Sequence, residues 1–477
     1  MELSHTRPVA AARFDDPNLV ATAGLVPVIA LAQASGLLTL ADEHLSVPTD
    51  KGANAGRKIG SLVGGMVAGA DSIADLGILR HGAMGTVFDR PYAPSTLGSF
   101  LREFTFGHVR QLDAVASRVL IGLADRTPVV AGIDAGRVLV DIDDTIIEVH
   151  GHGKQGSGYG YSGVRGLNAL LATVTTQTAA PVILTQRLRR GACGSARGAA
   201  RMVADALTTV DRLRSQAGGA GGDGAPKVLM RCDSAFYGHP TVGAAIRAGA
   251  DVSVTVRLTS TIKRAIASID VDESAWTPIE YTDAVYDEDT DTWISRAEVA
   301  EVPFTAFASQ KKAHQIPGRL VVRRIPDLRP PKDQGQGTLF DIWRFHAFFT
   351  TTDPTDLDTV AADKTHRGHA VIEQVHADLK NSALAHLPSN SFQANAAWLV
   401  AAVMAFNLTR AAATLTGDPK LTKATTGTIR RTLVSVPARI ASSARRLTLH
   451  LPTHWPWETA WITLFDNTFG RTQPIIA

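Results

Sequence analysis

Two short apolar runs, far apart in the chain, each end on a carboxylate. Val138-Leu139-Val140-Asp141-Ile142-Asp143 and Lys227-Val228-Leu229-Met230-Arg231-Cys232-Asp233 are rich in residues that favour strands, and both are too apolar to sit at a solvent-facing edge. They read as buried strands whose C-terminal ends present acids. Between them lie strand-like segments at Ala169–Thr175 and Val182–Arg187 and an Ala-rich helix near 195–215. After them come a helix near 240–248 and a strand, Val252–Val256. The order β-β-β-α-β-α-β predicts an α/β fold, a mixed sheet with helices packed on its faces.

The rest of the chain divides by pattern. Residues 1–132 read as a helical N-terminal domain. Residues 133–257 form the first part of the core, 258–340 a β-rich insertion, 341–416 the second part of the core and 417–477 a basic C-terminal region. In the first domain, Pro94-Ser95-Thr96-Leu97 opens a short helix with Ser95 as the expected N-cap. It suits a DNA-recognition helix and a plain structural helix equally. Leu19–Ala41 carries no charge over a length that could span a bilayer. Pro27, Gly36 and Gln33 interrupt it, so a buried helical pair is expected and no membrane association. The two cysteines, Cys193 and Cys232, fit no disulfide or metal framework, and the N-terminus has no basic leader. Both features point to the cytoplasm.

Net charge is only +3, but its distribution is uneven. Residues 270–304 hold eleven acids and one base, whereas Lys420 to Arg446 hold seven bases and no acid. Segregation of this kind suits a protein with one side turned to a polyanion, or solvated faces that happen to cluster.

A third acid completes a possible site. A helix expected from His366 to Asn381 places His366, His369, Glu373, His376 and Lys380 within one arc of about 80°, a costly face to bury. Asp143, Asp233 and Glu373 converging from three elements would suit a hard divalent cation and two-metal phosphoryl transfer. Asp141 shares a strand face with Asp143, so alternation alone does not choose between them.

At these residues the chain resembles DDE-type transposases of bacterial insertion sequences, in the branch with a Tyr-x2-Arg-x3-Glu-x6-Lys signature. Asp143-Asp144-Thr145 matches the family's Asp-x-Thr, and favours Asp143 over Asp141. Arg231-Cys232-Asp233-Ser234-Ala235-Phe236 matches Arg-x-Asp-Ser-x-Phe. Glu373 and Lys380, with six residues between them, match the glutamate–lysine pair. The helix from Asn395-Ala396-Ala397-Trp398 to Asn407-Leu408 is also similar. The signature's tyrosine and arginine positions hold His366 and His369, so Arg367 or His369 takes over the phosphate contact.

The resemblance implies a ribonuclease-H-like catalytic core with an all-β insertion between Asp233 and Glu373. It implies Mg2+, with Mn2+ able to substitute, held by Asp143, Asp233 and Glu373. It further implies double-stranded DNA as partner, both terminal inverted repeats and target, and a homodimer assembled on DNA at the nucleoid. DNA contacts are then expected from Arg367, His369, Lys380, Arg430, Arg431, Arg439, Arg445 and Arg446, and a base-stacking aromatic from Trp276, Trp293 or Trp343, each of which fits a core aromatic better. Two other readings remain: a DNA-binding regulator with a decayed core, and a hydrolase holding zinc at His366, His369 and His376. The second lacks the His-Glu-x-x-His spacing. Gly151–Gly166 lacks the P-loop pattern and reads as a hairpin beside Asp143.

Overall fold

The apolar strands pair as their sequences demand, because a run buried on both faces must sit inside a sheet. The computed structural model describes residues 11–151, 153–160, 162–218, 227–269, 273–287, 292–326, 343–443 and 446–470. A short strand β1 (Leu19–Val20) precedes helices α1 (Leu25–Ala34), α2 (Leu37–His44), α3 (Ala55–Ala68), α4 (Met84–Val87), α5 (Pro94–Arg102) and α6 (Phe106–Arg126). Then come β2 (Val138–Glu148), β3 (Gly158–Tyr159), β4 (Arg165–Thr175), β5 (Val182–Arg190), α7 (Ala199–Gln216), β6 (Val228–Cys232), α8 (His239–Arg247) and β7 (Asp251–Thr255).

In this part the sheet order is β5-β4-β2-β6-β7, with β3 pairing the start of β4. Strands β2, β4 and β5 are antiparallel neighbours, whereas β6 and β7 run parallel to β2. The expected order of strands and helices is therefore present. The segment that follows contributes α9 (Ser260–Ile269), β8 (Thr277–Asp287), β9 (Thr292–Ala306) and β10 (Ile316–Pro326), then β11 (Trp343–Thr350). Strand β11 pairs antiparallel with β7, and β10, β9 and β8 follow it outward, so these strands extend the same sheet.

Helices α10 (Thr359–Arg367), α11 (Val371–Lys380) and α12 (Phe392–Thr414) close the core. Helix α12 packs on β5 and on α3 and α6, which joins the N-terminal helices to the sheet. Among the described residues it is the one helix long and apolar enough to cross a bilayer, and its whole apolar window is buried in the protein. Two asparagines on it satisfy backbone that the core would otherwise strand. Asn407 accepts from the Ile183 amide (2.9 Å) and donates to its carbonyl (2.8 Å), completing the edge of β5. Asn395 makes the same two-way contact with Ser389.

At the N-terminus α1 and α2 form the expected pair, bent by 48° at Gly36, whose φ of +87° favours glycine. Strand β1 pairs with β12 (Ala438–Ser443), which pairs with β13 (Arg446–His450). One expectation changes: α5 begins at Pro94, Ala93 is its N-cap and Ser95 caps nothing. Proline's fixed φ sets the first turn, so Ser95 falls inside the helix. Leu97, Phe100 and Leu101 of α5 are all buried, which makes it a packing helix along that face.

Trp398 is fully buried and its indole donates to the Ala383 carbonyl (2.7 Å), tying α12 to the chain after α11. Trp398→Ala should cost about 3–5 kcal/mol and Trp398→Phe about 1–3 kcal/mol, the latter from the unpaired carbonyl. Denaturant midpoints measure both, and a loss under about 1 kcal/mol for Trp398→Ala would contradict this packing.

Candidate active site

The parallel register of β2 and β6 pairs Ile142 with Cys232. The next residue on each strand is an aspartate, so Asp143 and Asp233 leave neighbouring strands side by side at the same end. Both line one cleft of about 1420 Å³, together with Asp144, Arg197, Arg257 and Lys380. Burial pushes the Asp143 carboxyl up to about 7; the Asp144 amide opposes that rise and the Asp233 charge adds to it. Burial also raises Asp233, opposed by the Ala235 amide and by His369. Asp233 accepts from that amide (3.0 Å), which fixes the turn after β6. Two partly desolvated carboxylates with little compensating charge form the acidic floor of the cleft.

Asp141 has a different fate. It is fully buried and receives both Nε and Nη2 of Arg231 at 2.7 Å, while the ring Nδ1 of His369 lies 2.9 Å from its Oδ1. Arg231, itself 2% exposed, also donates to the Thr365 carbonyl at the end of α10. Asp141 is thus spent in a buried ion pair, and Asp143 is the acid of this strand face that reaches the cleft.

The continuous helix expected from His366 is instead broken. A 3-10 turn, Gly368–Ala370, separates α10 from α11. A Cβ at Gly368 would stand 2.8 Å from Nη1 of Arg231, so the guanidinium occupies the space a side chain would need. Nor do the five side chains of the expected face share one environment. His366 is half-buried, its ring held between Ser253 Oγ (2.8 Å) and Thr255 Oγ1 (2.9 Å) and stacked on Phe348 at 4.1 Å; loss of solvation pushes it down to about 3. His376 is buried, which pushes it down to about 3 as well, with Nδ1 3.6 Å from Asp143 Oδ2. Both nitrogens of His366 are taken by hydroxyls, which removes it from any zinc set with His369 and His376.

Glu373 is exposed in the first turn of α11, on the helix that carries His376 and Lys380, and does not line the cleft. Among the described residues no three His, Cys, Asp or Glu side chains converge as a metal-binding group. Lys380 lines the cleft and donates to Thr145 Oγ1 (2.9 Å). Arg367 pairs with Asp363 (2.9 Å).

The C-terminal arginines lie elsewhere. Arg430 packs beside Gly69, Arg431 and Arg446 are exposed, and Arg439 is 3.7 Å from Asp16; Arg445 lies outside the described residues. Trp276 and Trp343 hold Arg324 between them, 4.2 and 4.4 Å from their ring centres, a packing role that takes one face of each ring. The side chain of Trp293 lies outside the described residues.

Three features escaped the sequence reading. Asp144 is held by Arg189 and by Asn168 Nδ2 (2.5 Å), and Arg189 also donates to the carbonyls of Ser195 and Arg197 (both 2.7 Å). This node shapes the loop after β5, which presents Arg197 at the cleft. Arg257, just past β7, is the third exposed cation there. Arg189 near the end of a strand that begins Val182-Ile183-Leu184 was the available signal for the node.

The Asp143 carboxyl yields a pH test. Its folded-state value, about 7, stands above the ordinary 3.8, so its charge opposes folding fully above pH 7 and not at all below about pH 4. Without divalent cations, Asp143→Asn should therefore gain stability over the parent at pH 8, by at most about 4 kcal/mol, and gain none at pH 4. Denaturation at the two pH values measures this, and an equal difference at both would contradict it.

Comparison with known proteins adds the family. No curated protein matches the chain. A solved structure described as a cryo-EM structure of the piggyBac transposase synaptic complex with hairpin DNA is 10% identical, with a TM-score of 0.37 over 88% of this chain and 79% of that one. That likeness is too slight to build on. The model of the family described as transposase DDE domain, group 1, matches residues 2–469. The match takes in nearly the whole chain, including both strand-end aspartates and the α11 glutamate, and the protein belongs to the DDE transposase family.

Proposed function

We propose that the protein cuts and joins the DNA of an insertion sequence by metal-dependent phosphoryl transfer at its terminal inverted repeats, with Asp143, Asp233 and Glu373 as the acidic triad. The observation that carries the reading is the pair of half-buried aspartates on neighbouring parallel strands, facing a cleft with cationic walls. The sheet order β5-β4-β2-β6-β7, three antiparallel strands followed by two parallel ones, supports a ribonuclease-H-like core, and β8–β10 would be the β-rich insertion that extends it.

The donor set fits a hard divalent cation. Two oxygen-bearing side chains line one cleft, the Asp233 charge raises the Asp143 carboxyl, and a cation would remove the cost of ionising both. Asp143 and Asp233 would hold Mg2+, or Mn2+ in its place, and Glu373 would complete the set. Bound there, the ion would neutralise charge on the phosphate and lower the pKa of the attacking water or 3′-hydroxyl. The chain's own side chains do the positioning. Lys380, Arg197 and Arg257 draw the phosphate backbone over the acidic floor, and the buried His376 limits water access behind Asp143. His369, held by Asp141, and Arg367 would add further phosphate contacts. The DNA would be shared by two copies of the chain, in the cytoplasm at the nucleoid, with Arg430, Arg431, Arg439, Arg445 and Arg446 making sequence-independent contacts.

One observation favours a second reading. Glu373 stands apart from the two aspartates, as it would in a DNA-binding regulator with a decayed core. Magnesium-dependent nicking separates the two. Duplexes carrying the repeats that bracket the gene should be cleaved by the parent, and Asp233→Asn should abolish cleavage while keeping band-shift affinity within a few-fold. Cleavage by that variant at the parent rate would remove Asp233 from the site. Replacing Arg431 and Arg446 with alanine should lower the slope of log affinity against log salt by about two, and an unchanged slope would take them out of the interface.

A further inference from the structure

His369 is held in a way that a phosphate contact does not require. Asp141 and Arg231 pair across β2 and β6, and Asp143 and Asp233 each lie two residues further along, Asp233 still in extended backbone. Alternation puts both pairs on one face of the sheet. The first pair is closed, its charges matched inside the protein, and the second opens on the cleft. His369 is seated on the first pair, beside the second. Its neighbours Gly368 and Ala370 are exposed, whereas its own side chain turns inward and stays 16% exposed. Nδ1 stands 2.9 Å from Asp141 Oδ1. Asp141 already accepts from Nε and Nη2 of Arg231, and a carboxylate so held only accepts, so the ring proton belongs on Nδ1.

In the neutral ring Nε2 then carries a lone pair, and among the described residues nothing bonds to it. The groups around the ring are Asp141 and Asp143 on β2, Arg231 and Asp233 on β6, His366 at the end of α10 and His376 on α11. Arg367 and Glu373 are its nearest charged neighbours along the chain. Burial raises Asp143 and Asp233 and lowers His366 and His376; a charge on this ring acts on all four, lowering the two acids and adding to the fall of the two imidazoles. The ring is therefore within electrostatic reach of the acidic floor, and a buried carboxylate fixes its tautomer and orientation, as proton transfer needs.

We infer that His369 is the proton acceptor of the reaction, with Nε2 taking the proton of the attacking hydroxyl while Asp141 and Arg231 hold the ring. This rests on the phosphoryl-transfer reading above and deepens it. As the oxygen–phosphorus bond forms, the O–H bond of the attacking water breaks, its electron pair stays on oxygen and its proton passes to Nε2. The bond from phosphorus to the 3′-oxygen breaks, and that oxygen leaves with the pair and takes a proton from solvent. In the joining step the same nitrogen takes the proton of the 3′-hydroxyl. The ring, part exposed, gives its proton back to solvent after each step.

The variant that separates this role from a phosphate contact is His369→Arg, because arginine keeps a cation and a donor to Asp141 but accepts no proton. With the full-length protein and element-end duplexes in magnesium, it should bind ends within a few-fold of the parent. It should cleave them roughly 100-fold or more slowly at saturating DNA. His369→Gln, whose amide keeps the donor to Asp141, should be as slow, and added imidazole should restore part of the rate of His369→Ala. Below the optimum, log rate should rise with pH about one unit less steeply in His369→Arg than in the parent. In the DNA-free protein, imidazole nitrogen NMR resonances, assigned by their loss in His369→Gln, should place the neutral ring's proton on Nδ1. A His369→Arg variant that melts with the parent and cleaves within a few-fold of it overturns the inference, as does a neutral ring protonated on Nε2. Both leave the phosphoryl-transfer reading intact, whereas a parent that cleaves no element end in magnesium removes the reading and the inference together.

Discussion

The site depends on an ion pair that touches no substrate. Asp141 and Arg231 face each other across β2 and β6, both almost wholly buried. Two charges taken out of water are stable only where every remaining lone pair and proton is used. Here they are: the guanidinium grips both carboxylate oxygens and the Thr365 carbonyl, and His369 takes a further contact on Asp141. One node therefore fixes the register of the two strands and the junction of α10 with α11. Asp143 and Asp233 each lie two residues further along the strands so fixed, and His376 and Lys380 lie on the helix.

The second arginine node works in parallel. Arg189 neutralises Asp144, the immediate neighbour of Asp143, and uses its remaining donors on the loop after β5. Without it a third uncompensated carboxylate would crowd the cleft floor. The outcome is a division of labour among four acids close in space: Asp141 and Asp144 have their charge matched inside the protein, whereas Asp143 and Asp233 do not. Their raised titration follows from burial first; carboxylate charge adds to it, from Asp233 on Asp143 and from Asp144 on Asp233. Unmatched charge at the base of a cleft is what a cation would answer, and the cationic rim is what a phosphate backbone would answer.

Much of this was legible in the residues. Apolar runs ending on Asp143 and Asp233 declared their strands, because a buried strand must be apolar until it leaves the sheet. The α12 segment was equally plain. The α10–α11 region was not, since helical spacing assumes one regular helix, whereas a 3-10 turn at Gly368–Ala370 interrupts it, with the Arg231 guanidinium packed against Gly368. His366 is half-buried and His376 buried, although their face of the expected helix is costly to bury. Ser253, Thr255 and Phe348, which receive His366, lie more than a hundred residues from it or on another strand, beyond any local pattern. The roles of Arg189, Arg197 and Arg257 depended likewise on which loops meet at the cleft.

The central claim, that Asp143 and Asp233 form a floor built for a divalent cation, is tested most directly by anomalous diffraction from crystals of the protein grown with Mn2+ and a DNA end. The account predicts a manganese peak bridged by the two carboxylates, with Glu373 drawn in to join them. Manganese absent from that floor, or held by other residues while Asp143 and Asp233 stay empty, would contradict it.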